Sequence, residues 1–230
     1  MINYLLSSGQ LTYAMHISEG FLPKIWAFIW FVTFIPFLVL SIRKLTVQFK
    51  DDQTNKLLFA LMAAFAFTLS ALKIPSIVGS CSHPTGMGLG AILLGPLSMV
   101  TVGTIVLILQ ALLIAHGGIT TLGANAFSMA VVGPFVSFGV FHLLKKMNVN
   151  KKVSVFFAAT LGSLSTYFVT SLQLGLAFTD GNLYLSVGKF LGVFMFTQLP
   201  ISIAEGLLTV VVYNLLSQTD QFATLVGGSK

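Results

Sequence analysis

The chain has 230 residues, of which 56% are hydrophobic and only 8% are charged, and its mean hydropathy is +0.94. A soluble domain carries about 25% charged residues, so this chain has too little charge to cover the surface of a soluble enzyme or binding module. Its apolar runs are long and continuous, unlike the alternating strands of a membrane β-barrel. Because a membrane-spanning helix needs roughly 20 apolar residues, about six to eight spans fit this length. The composition predicts an all-α polytopic integral membrane protein in the lipid bilayer.

The net charge of +6 does not indicate nucleic-acid binding. The basic residues are few, and eight of the twelve lie in two connections between apolar runs. This grouping is typical of cytoplasmic loops and forms no phosphate-binding stripe. A single cysteine, Cys81, excludes an internal disulfide framework and a four-thiolate zinc site. The first basic connection carries Arg43, Lys44, Lys50 and Lys56, and the second carries Lys145, Lys146, Lys151 and Lys152.

Six apolar runs follow one another along the chain, at residues 25–42, 57–72, 89–115, 126–144, 153–178 and 190–216. If both basic connections are cytoplasmic, the third run must leave the outer face and return to it. Gly95 and Pro96 interrupt this run, and proline kinks or ends a helix. We expect two short or re-entrant pieces, at 89–98 and 102–115, and thus about seven spans with the N-terminus outside and the C-terminus cytoplasmic. One kinked span is the alternative.

We expect three segments along the chain: a leader, a membrane domain and a tail. Residues 15–216 are predicted to form a single transmembrane metal-binding domain, and residues 217–230 a cytoplasmic tail. Residues 1–14 contain no lysine or arginine, and their apolar stretch is short for a signal peptide. Three alternatives remain for this leader: it is cleaved, translation begins at Met15, or it stays as a disordered tail.

Polar groups in so apolar a chain point to function, and three of the four histidines fall on the predicted outer side. If Met15 is the mature N-terminus, its amine, the amide nitrogen of His16 and the His16 imidazole can chelate one metal ion. A nitrogen from His83 completes a planar set that suits cobalt(II) or nickel(II). Binding would release protons, so affinity should rise with pH. The alternative is that these histidines lie at the membrane interface, as we expect for His142 near the cytoplasmic end of its helix.

Several ordered motifs support the metal hypothesis. Residues 15–23 read Met-His-Ile-Ser-Glu-Gly-Phe-Leu-Pro, residues 80–86 read Ser-Cys-Ser-His-Pro-Thr-Gly, and residues 110–118 end in His-Gly-Gly. Together with Gly88-Leu89-Gly90, Gly95-Pro96 and residues 121–125, they resemble the CbiM/NikM family, the cobalt and nickel substrate-specific components of energy-coupling-factor transporters. The resemblance covers roughly residues 15–134.

The resemblance implies a seven-helix membrane subunit, a substrate-specific-component bundle with an extra N-terminal helix, whose N-terminal residues plug inward and capture a divalent metal. Carried over, the ligands are the Met15 amine, the His16 amide and imidazole, and the His83 imidazole. This chain departs from the family in having fourteen residues before Met15. If they are retained, Met15 has no free amine.

Other residues near these motifs have two interpretations each. Glu19 orients His16 or begins a helix at the interface, and Cys81 is a thiolate ligand or a small buried hydrophobe. Ser82 and Thr85 orient His83 or form a turn. His116 is expected to be a buried, hydrogen-bonded histidine near the site, with direct ligation as the alternative.

Three further features have other interpretations. Asn125 is predicted to cap the helix that follows it. Glu205 lies inside the last span, where a carboxylate is a candidate functional group. The alternative is that it pairs or hydrogen-bonds within the bundle, and we do not assign it to ion translocation. Residues 60–64 place small side chains four apart, which allows close helix approach, either to a partner or within the bundle.

No segment reads Gly-x-x-x-x-Gly-Lys-Ser/Thr, so this chain lacks the phosphate-binding loop of an ATPase. The resemblance implies a subunit of an ATP-driven cobalt or nickel importer in the cell membrane of a prokaryote. Its partners would be a transmembrane coupling subunit, cytoplasmic ATPase subunits and a small accessory membrane protein. An energy-independent secondary carrier or channel is the alternative. A membrane-embedded enzyme is disfavoured, because there is neither a Gly-x-Ser-x-Gly elbow nor a His-Glu-x-x-His helix.

Overall fold

The computed structural model describes residues 16–50, 53–72, 74–75, 81–179 and 181–218. Met15, the predicted leader 1–14 and most of the predicted tail, residues 219–230, lie outside the described residues. The backbone of Cys81 is described, but its side chain is not. The predictions made for these residues are therefore not addressed by the structure.

Seven helices make up most of the described chain, together with one pair of two-residue strands. The strands β1 (Ile74–Pro75) and β2 (Cys81–Ser82) are antiparallel and pair Ile74 with Ser82. The helices are α1 (Lys24–Gln48), α2 (Gln53–Ala71), α3 (Met87–Leu94), α4 (Pro96–Leu113), α5 (Leu122–Lys146), α6 (Lys151–Ala177) and α7 (Leu183–Ser217).

Five of these helices, α1, α4, α5, α6 and α7, are long and apolar enough to cross a membrane. Helix α2 has 19 residues, with an apolar part at Asn55–Ala71, and α3 has eight residues. Eight residues rise about 12 Å, which is less than the roughly 30 Å of a bilayer's hydrocarbon core. The predicted all-helical membrane architecture is therefore confirmed.

The third apolar run is divided at a different place from the one predicted. The sequence predicts pieces at 89–98 and 102–115, but α3 ends at Leu94 and α4 runs without a break from Pro96 to Leu113. Gly95, with φ +82°, makes the turn between them. Pro96 then occupies the first position of α4, where its missing N–H has no helical partner to lose. Pro96 begins a helix here instead of ending one.

The two ends of the bundle carry different side chains. At one end Lys44 donates to the carbonyl of Leu94 (3.3 Å), and Leu94 lines a cavity with Lys145 and Lys151. We call this the lysine end. At the other, the histidine end, lie the segments that precede α1 and α3 and the segment that follows α4. Helix α3 leads towards the lysine end, and α4 returns to the histidine end.

The helices pack around a central group formed by α4 and α5. Helix α4 contacts α1, α2 and α3, while α6 lies between α5 and α7. Met99, Val102 and Met129 are fully buried in this centre. Large apolar side chains on the outer faces of α1 and α7 are exposed in the isolated chain, as lipid-facing residues are. Helix α5 contains a π-helical segment, Phe127–Val132, a feature found mostly near functional sites.

Candidate metal centre

Three histidines from three separate segments meet inside the histidine end. His16 precedes α1, His83 lies between β2 and α3, and His116 follows α4. Their exposed fractions are 4%, 0% and 2%, so the group is closed off from solvent. Each ring offers one nitrogen to a common point, and these three nitrogens lie within 4.8 Å of one another. Within the described residues, this group of three is the arrangement that could hold a metal ion.

The rings form a nearly equilateral triangle. The centroids lie 5.0 Å apart for His16 and His83, and 4.9 Å apart for the pairs made with His116. The ring planes cross at 63–67°. The Nε2 atoms of His83 and His116 are 3.1 Å apart, which is about the separation of two nitrogens bound to one metal at about 2.0–2.1 Å and nearly a right angle.

The segment that carries His16 is clamped by α5. Asn125 accepts a hydrogen bond from the Ile17 N–H (2.8 Å) and donates to the Ile17 carbonyl (3.0 Å), to which the Thr121 hydroxyl also donates (2.6 Å). The prediction that Asn125 caps a helix is therefore wrong. Asn125 lies inside α5, whose cap position is Thr121, because its amide pairs with a distant backbone instead of with its own helix.

The same segment is held a second time at Glu19. The Glu19 carboxylate accepts a hydrogen bond from the Thr120 N–H (3.1 Å), and the Thr120 hydroxyl accepts one from Gly20 N–H (3.1 Å). Hydrogen bonding with the Thr120 side chain is the main cause that lowers the pKa of Glu19, and the backbone N–H groups of Thr120 and Ile119 lower it further. Among the described residues no hydrogen bond joins Glu19 to His16; the structure places Glu19 at the edge of the site, against the segment that carries His116.

A buried carboxylate anchors the loop that carries His83. Glu205, on α7, accepts hydrogen bonds from the Thr85 N–H (2.8 Å), the Thr85 hydroxyl (2.7 Å) and the Gly86 N–H (2.8 Å). On the other side of His83, the Tyr167 hydroxyl donates to its carbonyl (3.1 Å), and the Ser82 hydroxyl donates to Thr197 (2.9 Å). Thr85 and Ser82 therefore fix the loop rather than touch the metal position.

His116 sits in a tight turn after α4. Its N–H donates to the Gln110 carbonyl (3.1 Å), and its neighbours Ala115 and Gly117 have positive φ angles of 48° and 78°. The turn directs the His116 ring back towards His16 and His83. The Gln110 side chain lies beside His16, is fully buried, and its amide has no hydrogen-bond partner among the described residues.

The site favours uncharged imidazoles. Burial lowers the pKa of His16 well below its ordinary value, and the neighbouring rings of His116 and His83 lower it further. A neutral imidazole keeps a lone pair, which is the form that binds a metal. The His83 Nδ1 atom lies 2.8 Å from the Pro84 carbonyl, so a proton on Nδ1 would leave the Nε2 lone pair facing the cluster. The His16 Nε2 atom is buried without a hydrogen-bond partner among the described residues.

The structure brings together some of the residues singled out from the sequence. It places His16 and His83 side by side, with His116 in contact with both, while His142 is exposed and lies near the lysine end. Met15 and the side chain of Cys81 are outside the described residues. Sequence reasoning missed the placement of Gln110 beside the cluster. The available signal was a polar residue, Gln110, in an apolar run six residues before His116, within the motif that resembles the family's.

Fold and site together define a class: a polytopic helical membrane protein whose interior holds a cluster of three histidines that could hold a metal ion. Comparison with known proteins identifies the family within this class. The family model for the cobalt uptake substrate-specific transmembrane region, CbiM, matches residues 16–221. The chain therefore belongs to the CbiM family, as the sequence motifs indicate, and is a multi-pass protein of the prokaryotic cell membrane.

Relatives and solved structures agree with this membership. The chain is 56% identical over 220 residues to the cobalt transport protein CbiM of Listeria seeligeri, covering 95% of this chain and 90% of that protein. It is 57% identical over 219 residues to the cobalt transport protein CbiM of Clostridioides difficile, covering 94% and 88%. A crystal structure of a transition metal transporter matches with a TM-score of 0.78 at 28% identity, covering 92% of this chain and 96% of that one. The chain is thus a membrane component of metal uptake.

Proposed function

We propose that this chain is the substrate-capture membrane subunit of an ATP-driven importer of divalent cobalt or nickel. The observation that supports this most strongly is the convergence of His16, His83 and His116, whose ligand atoms lie within 4.8 Å of one another in a buried position. Buried polar side chains in a membrane protein are costly and mark substrate sites. The comparisons support metal as the substrate, since the relatives are cobalt transport proteins.

The donor chemistry favours a transition metal over the abundant hard cations. The three ligands are imidazole nitrogens, whereas magnesium and calcium require oxygen ligands. Glu19 and Glu205, the carboxylates within the described residues, bind backbone N–H groups of Thr120, Thr85 and Gly86 instead of facing the cluster. Imidazoles suit first-row transition metals such as iron, nickel, copper and zinc. The family model and the relatives name cobalt, and nickel stays the second candidate.

The imidazoles of His16 and His83 are the ligands that the sequence predicts, and His116 lies close enough to contribute a third ring. Where the chain begins at Met15, its amine and the His16 amide nitrogen complete the set, and binding the amide releases a proton. The Asn125 clamp on Ile17 lies next to this point. It would hold the N-terminal segment across the captured ion.

Import energy has to come from partner subunits, because the sequence has no phosphate-binding loop of its own. The partners in this proposal are a transmembrane coupling subunit, cytoplasmic ATPase subunits and a small accessory membrane protein. Since the cluster is closed off from solvent at the histidine end, release of the metal on the other side requires movement of the subunit. The coupling subunit would drive this movement.

Uptake of radioactive cobalt by cells that express the chain with its partner subunits tests this proposal. We expect uptake to require both the chain and an active ATPase subunit. His83→Ala should abolish uptake, and His116→Ala should reduce it by about tenfold or more, as loss of one metal-site group typically does. Near-normal uptake by His83→Ala would overturn the ligand assignment. Uptake that survives loss of the ATPase would instead support a secondary carrier.

A further inference from the structure

A cavity lies at the lysine end of the bundle, away from the histidine cluster. It has a volume of about 480 Å³ and opens between the end of α3, the end of α5, the start of α6 and the last part of α7. Its lining includes the apolar side chains of Ile92, Leu93 and Phe141. It also includes Lys145, Lys151 and Tyr213, and the Tyr213 ring belongs to the same hydrophobic cluster as Phe141.

The charge of this cavity is positive and uncompensated within the described residues. Lys145 and Lys151 come from opposite ends of the short connection between α5 and α6, so the fold brings two ammonium groups to one cavity. The two carboxylates of the described residues, Glu19 and Glu205, bind backbone N–H groups at the histidine end. The first turn of α6 also faces this region, and a helix N-terminus adds partial positive charge.

Tyr213 gives the cavity a hydrogen-bond donor that the fold leaves unused. Its side chain is 2% exposed, and its hydroxyl has no hydrogen-bond partner among the described residues. A buried hydroxyl without a partner costs about 1–3 kcal/mol, so such a group is a candidate to bind a ligand. The Lys151 ammonium group lies 5.1 Å from the centre of the Tyr213 ring, which holds cation and hydroxyl in the same region.

We propose that this cavity binds a phosphate group, supplied by the headgroup of an anionic membrane lipid. Two lysines and one hydroxyl match the oxygens of a phosphodiester, which accepts charge-assisted hydrogen bonds. The apolar side chains of Ile92, Leu93 and Phe141 suit the glycerol and upper acyl part of such a lipid. Basic pockets between helices at the cytoplasmic side of a membrane bind anionic headgroups in this way. The site is separate from the histidine cluster and does not depend on metal transport.

Native mass spectrometry of the purified full chain with phosphatidylglycerol or phosphatidylcholine tests the proposal. The pocket variant is Lys145→Gln with Lys151→Gln, and Tyr213→Phe removes the hydroxyl but keeps the ring. The matched control is Lys146→Gln with Lys152→Gln, which removes the same charge from the same connection but outside the cavity wall. Size-exclusion profiles and melting temperatures verify that every variant is folded.

We expect the wild type to retain phosphatidylglycerol in preference to phosphatidylcholine. The pocket variant should lose about tenfold or more in affinity for phosphatidylglycerol and Tyr213→Phe about fivefold, which corresponds to one hydrogen bond, whereas the control should stay close to the wild type. Equal losses in the pocket variant and the control would overturn the proposal in favour of general surface charge. Displacement of the lipid by millimolar inorganic phosphate would overturn the lipid source and assign the cavity to free phosphate.

Discussion

The residues that hold the histidines matter as much as the histidines themselves. Each ring comes from an irregular segment that is tied to a helix by hydrogen bonds. The Asn125 side chain holds the backbone at Ile17, and the Glu205 side chain holds the loop of His83. The third segment is held by the backbone, since the Gln110 carbonyl accepts from the His116 N–H. Irregular backbone at membrane depth persists where protein groups satisfy its hydrogen bonds. Two helix-borne side chains and one backbone carbonyl therefore hold the three loops of the site.

Replacing Glu205 by glutamine tests this clamp. Glu205→Gln keeps the shape of the side chain but substitutes an amide NH₂ for one oxygen, so at least one of the donors at Thr85 and Gly86 loses its acceptor. An unsatisfied buried donor costs about 1–3 kcal/mol. We expect a lower melting temperature and a loss of cobalt affinity of about tenfold, measured by titration of the purified protein. Unchanged cobalt affinity would show that Glu205 does not position His83.

For individual residues, the sequence predicts which side chains are candidates for the site but not which groups they bind. The histidine motifs and the intramembrane Glu205 stand out because polar residues are rare in this chain. The pairing of Glu205 with Thr85 spans 120 positions, and that of Asn125 with Ile17 spans 108. No local pattern encodes such distant contacts. For this reason the residues next to Asn125 predict a helix cap, although its side chain hydrogen-bonds to the Ile17 backbone in the structure.

The segment that precedes α1 packs closely against the segment that carries Gly118. A Cβ atom added to Gly118 would lie 2.5 Å from the Glu19 Cα and 2.7 Å from the Glu19 nitrogen. Such distances are too short for a carbon atom beside a backbone that cannot move freely. Glycine at position 118 therefore lets the segments of His16 and His116 pack against each other.

We expect Gly118→Ala to push the N-terminal segment away from α5 and to weaken cobalt binding by about tenfold or more, as when a metal site loses its supporting contacts. Gly139→Ala is the matched control, because nothing lies within 4 Å of its added Cβ atom. Titration of both purified variants with cobalt gives the comparison. Equal affinities for the two variants would mean that the close approach at Gly118 does not shape the site.

The helix boundaries show where local rules suffice. The apolar runs place α5 and α6 to within four residues at each end, because lipid-facing helices must be continuously apolar. Helices α1 and α7 extend beyond their runs, to Gln48 at the end of α1 and from Leu183 at the start of α7. The predicted division between α3 and α4 is wrong. The prediction puts the break after residue 98, whereas α3 ends at Leu94 and α4 begins at Pro96. Backbone geometry decides this point: Gly95 adopts a positive φ and Pro96 starts the next helix. The π-helical segment Phe127–Val132 had no signal in the sequence.

For the whole molecule, the separation of charge predicts an orientation. Lys44, Lys145 and Lys151 lie near one end, and the three clustered histidines lie at the other. Cytoplasmic loops carry an excess of lysine and arginine. We therefore expect the histidine end to face outward and the lysine end to face the cytoplasm.

Labelling in intact cells with a membrane-impermeant maleimide tests this orientation. In a Cys81→Ser background, Ile119→Cys marks the histidine end and Met147→Cys the lysine end; these side chains are 51% and 64% exposed. We expect the reagent to label Ile119→Cys in intact cells, and Met147→Cys once the membrane has been opened. The reverse pattern would contradict the outward-facing site.

Native mass spectrometry of the chain purified from membranes and loaded with cobalt is the most direct test of metal capture by the histidine cluster. We expect one cobalt per wild-type chain and none after His83→Ala, which removes a ring of the cluster. His142→Ala is the control, since this exposed histidine lies outside the cluster, and it should still carry one cobalt. A His83→Ala chain that retains one cobalt as firmly as the wild type would contradict the histidine cluster as the capture site.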